Sequence, residues 1–190
     1  MKNYSIIREI EYNKISKLNL NGNILDIGGS KRSGYHDLIS GEHTMTTVNI
    51  NASYGCDLVF DVQEVFPLKD NSFDNVLCFN VLEHIYKYEN VFDECSRVLK
   101  SGGKFISATP FMHHVHGSPD DYFRYTKSSL ELLLQENEFE NIEIEEMGYG
   151  LFSLIFQVVG GAIPTNFLRA IFKNFSIFID KFFLKISSKY

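Results

Sequence analysis

Apolar residues near the start of the chain recur at three- and four-residue intervals, which predicts a helix over residues 4–18 (YSIIREIEYNKISKL). The polar, glycine-containing NLNG that follows ends it. Short apolar runs then alternate with helical ones. NILDIGG reads as a buried strand entering a glycine turn, HTMTTVNI as a second β-rich run and CDLVFDV as a third. The turn signal PLKDNS leads into FDNVLCFN, a fourth strand. VFDECSRVLK places Val91, Cys95, Val98 and Leu99 on one helical side, and Lys100 followed by SGG marks its stop. KFISATP predicts a fifth strand, SSLELLLQENEF a helix and NIEIEEM a sixth strand. LFSLIFQVV is the candidate for a seventh; otherwise the sheet stops at six and the tail covers its edge.

Strands and helices alternating at this spacing imply right-handed βαβ crossovers. The expected fold is α/β: a Rossmann-like, doubly wound, mostly parallel sheet of six or seven strands. In such sheets ligands bind beyond the carboxyl ends of the strands, so the residues just after each strand are the ones to inspect.

Composition adds a division that the pattern alone leaves open. At 190 residues the chain is one domain's worth, and 44% hydrophobic with 22% charged residues suits a soluble fold with a core. Three scattered cysteines, Cys56, Cys78 and Cys95, do not make a disulfide scaffold or a zinc cluster. With no signal-peptide pattern at the start, a cytoplasmic location is expected. A net charge of −6 argues against duplex nucleic acid as a partner. That charge is unevenly spread: residues 151–190 carry +4 and eight of the 17 phenylalanines, against −10 for the first 150. The expected organisation is therefore a domain over 1–150 and an apolar, basic helical segment over 151–190.

At the strand ends, Asp26-Ile27-Gly28-Gly29-Ser30 lets the backbone turn sharply and approach a ligand, although a lone DxGG is also a plain tight turn. The absence of GxGxxG counts against a nicotinamide-dependent oxidoreductase. Asn49 and Asn51 follow the second strand, where a ribose-binding acid often stands; two turn asparagines are an equal reading. Asp61-Val62 follows the third strand and Asn80 the fourth, with Glu83 and His84 close behind. Pro110 ends the fifth and opens the loop PFMHHVHGSPDDYFRYT.

ILDIGG, DLVFDVQEVFPLKDNSFDNVLCFNVLEHI and ECSRVLKSGGKFISATP, in this order, resemble the class I S-adenosylmethionine-dependent methyltransferases, specifically the type 11 methyltransferase domain, over about residues 22–147. HGSPDDYFRYT resembles a bacterial subgroup associated with cell-envelope and polysaccharide biosynthesis. The resemblance implies S-adenosyl-L-methionine as cofactor. It places Asp26, Gly28 and Gly29 against the methionine part, Asn49 at the ribose, Asp61 and Val62 beside adenine, and Asn80 in the methyl-donor pocket. Two positions depart from the family pattern: the glycine loop is here Ser30-Lys31-Arg32-Ser33-Gly34, and the ribose acid is an amide. They leave open a degenerate, non-catalytic module that scaffolds an envelope-biosynthesis complex.

Methyl transfer to a hydroxyl requires removal of its proton, work suited to a histidine. Four of the six histidines, His84, His113, His114 and His116, follow strands four and five, and the strand-end rule brings these segments over the cofactor. His84 caps or lines the cofactor floor. His113 and His114 are adjacent and expected to point apart. His116 is the favoured base, Asp121 orients it or accepts the proton, and Arg124 clamps a substrate carboxylate or phosphate. Tyr122 and Tyr125 can stack on a sugar. The competing structural reading makes Asp121–Arg124 an internal ion pair and Tyr125 a core residue. HHVH has no further ligand at supporting spacing, so no metal is expected.

Residues 147–168 lack charge, but their glycines, Pro164 and Asn166 make a poor membrane span. Beyond Pro164 one helical face carries Leu168, Ile171, Phe172, Phe175, Ile179, Phe182 and Ile186. The other carries Arg169, Lys173, Ser176 and Asp180, with Lys181 and Lys185 at the border. Such a C-terminal amphipathic helix suits a membrane interface at residues 165–186, a second subunit, or the chain's own sheet. The sequence thus predicts a methyltransferase that O-methylates a small-molecule acceptor, a sugar or a lipid- or nucleotide-linked envelope precursor. Its expected location is cytoplasmic, at the inner face of the membrane if the tail binds lipid.

Overall fold

A computed structural model describes residues 5–117 and 119–187, with side chains through Lys185. The described chain divides into two compact units, one of residues 15–111 and 115–144 and the other of residues 1–14, 112–114 and 145–190. The first unit is built on five parallel strands: β1 Gly22–Ile27, β2 His43–Asn49, β3 Leu58–Val59, β4 Phe73–Phe79 and β5 Leu99–Ala108, in the order β3-β2-β1-β4-β5. β1 and β4 are central and read as continuous apolar runs because both faces are covered. Ile24, Leu25, Val76, Leu77 and Cys78 are fully buried.

Helix α2 (Tyr88–Val98) buries Val91, Phe92, Cys95 and Val98, the stripe that its spacing predicts plus one phenylalanine. It passes directly into β5 at Leu99. Glu94, also buried, accepts from the Phe66 backbone N–H at 2.6 Å and from Arg97, so its charge is paired. Helix α3 (Lys127–Glu136) starts where the Thr126 hydroxyl accepts from the Ser129 N–H, an ordinary N-cap.

The sheet differs from expectation at its far edge. Among the described residues it has five strands, not six or seven. Residues 142–147 form no ladder, although Ile142 and Ile144 are half-buried between exposed glutamates in an alternating pattern. LFSLIFQVV, the segment that would have supplied a seventh strand as a hairpin partner, is helix α4 (Leu151–Val159). A short apolar run has no period by which strand and buried helix can be told apart.

The second unit contains most of helix α1 (Ile6–Ile15), α4 and the long helix α5 (Asn166–Ser187). Asp180 of α5, 3% exposed, accepts from the backbone N–H groups of Phe152 (2.9 Å) and Ser153 (2.7 Å). A carboxylate from one helix thereby caps the positive N-terminus of another. Gly150 leaves room for it, since a Cβ there would press on the Asp180 carboxylate. Replacing Asp180 with alanine strands two amides and is expected to cost about 1.5–3 kcal/mol locally. Hydrogen exchange at Phe152 and Ser153 should accelerate accordingly, and unchanged protection there would contradict the cap.

α5 is packed the opposite way from an ordinary amphipathic helix. Its less exposed positions are Arg169, Ala170, Lys173, Ser176, Ile177, Ile179 and Asp180, mostly the small and polar ones. Lys173 pairs with Glu9 of α1 at 2.5 Å, and Arg169 donates to the Ile163 carbonyl. Phe167, Phe172, Phe175, Phe178 and Phe182 are each more than half exposed. Of the apolar face read from sequence, only Ile179 is partly covered, and the Ile186 side chain lies outside those described. Among the described residues no helix is long and apolar enough to cross a membrane.

Candidate functional site at the carboxyl ends of the strands

β1 connects onward to β2 and β3 on one side, while β4 lies on its other side, so the crossovers reverse between β1 and β4. A crevice opens at such a switch point. Its two walls are the glycine turn after β1 and the segment after β4. Gly28 has φ +75°, and a Cβ on it would strike Val81. A Cβ on Gly29 would strike the Asp26 carboxylate. Both glycines are therefore required by close approach, the arrangement that lets backbone reach a ligand.

Asp26 is fully buried beneath this turn. The Tyr35 hydroxyl donates to its carboxylate at 2.8 Å, and His36 Nε2 lies 2.6 Å from the same oxygen. Burial and the adjacent Asp26 charge push the Tyr35 hydroxyl pKa well up. Asp26 thus positions Tyr35 and His36, two residues that sequence reading did not single out. Asn49 Nδ2 donates to the carbonyls of Gly28 (3.0 Å) and Gly29 (3.3 Å), while Oδ1 accepts from the Ile50 N–H. The amide that replaces an acid there braces the glycine turn, and its carbonyl oxygen keeps a second lone pair for a hydroxyl. Asp61 caps its own turn by accepting from the Gln63 N–H at 2.9 Å, beside buried Val62. Asn80 is left-handed at φ 55°, an uncommon state for a residue other than glycine and often found at functional sites. Residues 26–29, 49, 61–62 and 80 therefore all sit at carboxyl strand ends, and the close-approach glycines fit a nucleoside cofactor.

The segments after β4 and β5 are fastened together. The N–H groups of Tyr122 (2.8 Å) and Phe123 (3.2 Å) donate to the Glu83 carbonyl, and the Tyr125 hydroxyl donates to the Leu82 carbonyl. This brings His84 and His116 to a ring separation of 5.0 Å, edge to face. His113 and His114 do not join them. Their rings lie 4.3 Å apart rather than diverging, and both group with the other unit.

His84 Nδ1 lies 2.5 Å from the Asp120 carbonyl, which can only accept, so Nδ1 is the donor of that bond and Nε2 is the ring nitrogen on the side of Glu83. Asp121 accepts from the His116 backbone N–H at 2.8 Å and lies 3.4 Å from its ring Nδ1. Arg124 grips the same carboxylate with two nitrogens, its Nη2 at 2.7 Å. The Arg124 guanidinium, with the His116 N–H, holds the Asp121 carboxyl well below the usual carboxylate range. The ion pair offered as the structural reading is thus formed, and the Arg124 fork engages Asp121. Tyr125 is buried in the core cluster, as that reading had it. Tyr122 and Tyr86 are exposed, with rings 5.4 Å apart.

Sequence reading placed Glu83 just after the fourth strand but gave it no role. It is fully buried, and among the described residues neither carboxylate oxygen has a hydrogen-bond partner. Burial pushes its pKa up, while nearby His84, His116 and Arg124 pull the other way. A glutamate following a leucine in VLEHI carries no period or spacing that could have announced this.

Residues 40–107 match the type 11 family described as a methyltransferase domain, a shorter stretch than the motifs suggested. An uncharacterized protein of Methanocaldococcus jannaschii is 55% identical over 40 residues, covering 21% of this chain and 17% of that protein. A Mycolicibacterium smegmatis protein described as a "probable S-adenosylmethionine-dependent methyltransferase" is 46% identical over 44 residues, 23% of this chain and 17% of that protein. The matched segment thus spans about a sixth of either curated relative. Among solved structures, the phosphoethanolamine N-methyltransferase 2 of Haemonchus contortus in complex with S-adenosyl-L-methionine is similar with TM-score 0.60 at 16% identity. That similarity covers 98% of this chain and 51% of that one. Over a third of its length the chain therefore matches the methyltransferase domain family, its fold is the Rossmann-like fold of class I methyltransferases, and S-adenosylmethionine is the cofactor these comparisons support.

Proposed function

We propose that the chain is an S-adenosylmethionine-dependent O-methyltransferase whose acceptor is a sugar or a lipid- or nucleotide-linked cell-envelope precursor. The observation that supports this reading is the meeting of two strand ends: Gly28 after β1 approaches Val81 after β4 too closely for a Cβ, and the segment that holds Val81 continues into His84, whose ring lies beside that of His116. When bound, S-adenosylmethionine supplies a methyl carbon on a sulfonium, whose C–S bond breaks with its electron pair going to sulfur. The glycine turn, Asn49, Asp61, Val62 and Asn80 bind and orient it in this reading. His116, steadied by Asp121, takes the acceptor's hydroxyl proton as the new O–C bond forms. The exposed pair Tyr86 and Tyr122 offers ring faces for a sugar.

Calorimetry with S-adenosylmethionine, followed by methyl transfer from labelled cofactor to candidate glycosides and nucleotide sugars, tests the reading. Absence of cofactor binding would favour the degenerate scaffolding module instead.

The tail supports a place at the inner face of the membrane. The outward phenylalanines of α5 form an apolar surface bordered by Lys181 and Lys185, while the segment's one acid, Asp180, is buried as a cap. An anionic bilayer matches both the apolar area and the sign of the rim. The full chain is expected to sediment with anionic vesicles and much less with neutral ones. The variant F175E/F178E, altered only at exposed positions, should stay in the supernatant. Equal binding by this variant would refute the lipid contact, and concentration-dependent dimerisation that it abolishes would assign the face to a second copy.

A further inference from the structure

Glu83 presents a physical problem that the methyltransferase reading leaves unsolved. A fully buried carboxyl with two unpartnered oxygens is costly, and such groups normally find a partner or a metal. What faces it is a pair of imidazoles. His84 Nε2 stands 3.6 Å from Glu83 Oε1, too far for a hydrogen bond. Two ligands held at about 2.0–2.1 Å from one tetrahedral cation sit about 3.3 Å apart, close to this spacing. A ring nitrogen of His116 completes the group, the three ligand atoms lying within 4.8 Å of one another.

We propose that Glu83, His84 and His116 form a binding site for one divalent transition-metal cation of the zinc class. Three further features suit it. The hydrogen bond from His84 Nδ1 to the Asp120 carbonyl directs the Nε2 lone pair toward the site, the usual support of a metal-bound histidine. Asp121 gives His116 a comparable carboxylate neighbour at 3.4 Å from Nδ1. The nearby Arg124 guanidinium is neutralised by its two-point contact with Asp121, so it presents little net repulsion. Two imidazoles and one carboxylate favour zinc, cobalt or iron over magnesium, which takes oxygen ligands. Three protein ligands also leave coordination positions open, as in catalytic rather than structural sites.

The consequence for substrate rests on the methyltransferase reading. A cation here would take an acceptor through a hydroxyl or carboxylate oxygen and lower the pKa of a bound hydroxyl. The His116 ring then serves as ligand, and the acceptor proton leaves for water instead of for that ring.

The test uses the full chain stripped with EDTA and titrated with Co²⁺, followed by visible absorption, with Zn²⁺ added in thermal-shift measurements. One Co²⁺ per chain should bind with the ligand-field bands of a nitrogen–oxygen site, and Zn²⁺ should raise the melting temperature. E83Q and H84A should each weaken Co²⁺ binding by more than the roughly 10–100-fold that loss of an outer partner costs. H113A, outside the cluster, should bind normally. Far-ultraviolet circular dichroism and a cooperative thermal transition report that each variant is folded. Failure of the wild-type chain to bind Co²⁺, or binding unchanged in folded E83Q, overturns the site. A chain that binds Co²⁺ but no S-adenosylmethionine keeps the metal site and loses the methyltransferase reading; the reverse result keeps only the latter.

Discussion

Replacing His116 with alanine is expected to lower methyl transfer by about 10²–10⁴-fold, the usual contribution of a positioned proton acceptor. S-adenosylmethionine affinity should be unchanged in the proposed reading, because His116 contacts Asp121 and His84 on the segments after β4 and β5, which that reading gives to the acceptor. Single-turnover rates and calorimetry separate the two quantities. Turnover equal to wild type would remove His116 from the chemistry. The EDTA-stripped wild-type chain refines the result. Full activity without metal assigns the loss in H116A to a missing base. Activity that requires added Zn²⁺ or Co²⁺ assigns it to a missing ligand.

On the other wall, Gly29→Val should damage cofactor binding instead. Its Cβ would enter the space of the Asp26 carboxylate, which cannot swing aside without breaking its contacts with Tyr35 and His36. Overpacking of this kind costs about 1–3 kcal/mol. Expressed as turn displacement, that is a loss of roughly 10–100-fold in S-adenosylmethionine affinity. Gly102→Ala, at a positive φ but with open space around it, is the control for glycine loss alone. It should strain the irregular start of β5 and leave cofactor affinity intact. Equal affinity losses in the two variants would contradict the close-approach role of Gly29.

The parallel core was legible because burial on both faces leaves a strong mark. NILDI and FDNVLCF are apolar runs bounded by turn residues, and they became β1 and β4. The helix VFDECSRV was legible by its stripe. Where apolar residues run without interruption, as in LFSLIFQVV, period gives no guidance, and a strand reading met a helix. The two faces of α5 were also legible, but not which would turn inward. That was decided by particular contacts: Asp180 on the α4 amides and Lys173 on Glu9. At the site, strand-end logic found the loops that carry His84, His116, Asp121 and Arg124. It could not foresee that Arg124 would close on Asp121, or that Glu83 would be enclosed with no hydrogen-bond partner on its oxygens among the described residues. Both depend on backbone bonds from residues 122 and 123 to the Glu83 carbonyl, which link positions 39 and 40 residues apart.

Those same backbone bonds have a bearing on how such a chain can diversify. The stretch 121–125 is riveted to the segment after β4, whereas Phe111, Met112, His114, Val115 and Gly117 are exposed. Sequence change there leaves the rivets in place. Substitutions at Phe111, Val115 and Gly117 would therefore leave the bonds from residues 122, 123 and 125 to the segment after β4 intact, so this exposed stretch can vary while the frame that holds His84 keeps its shape.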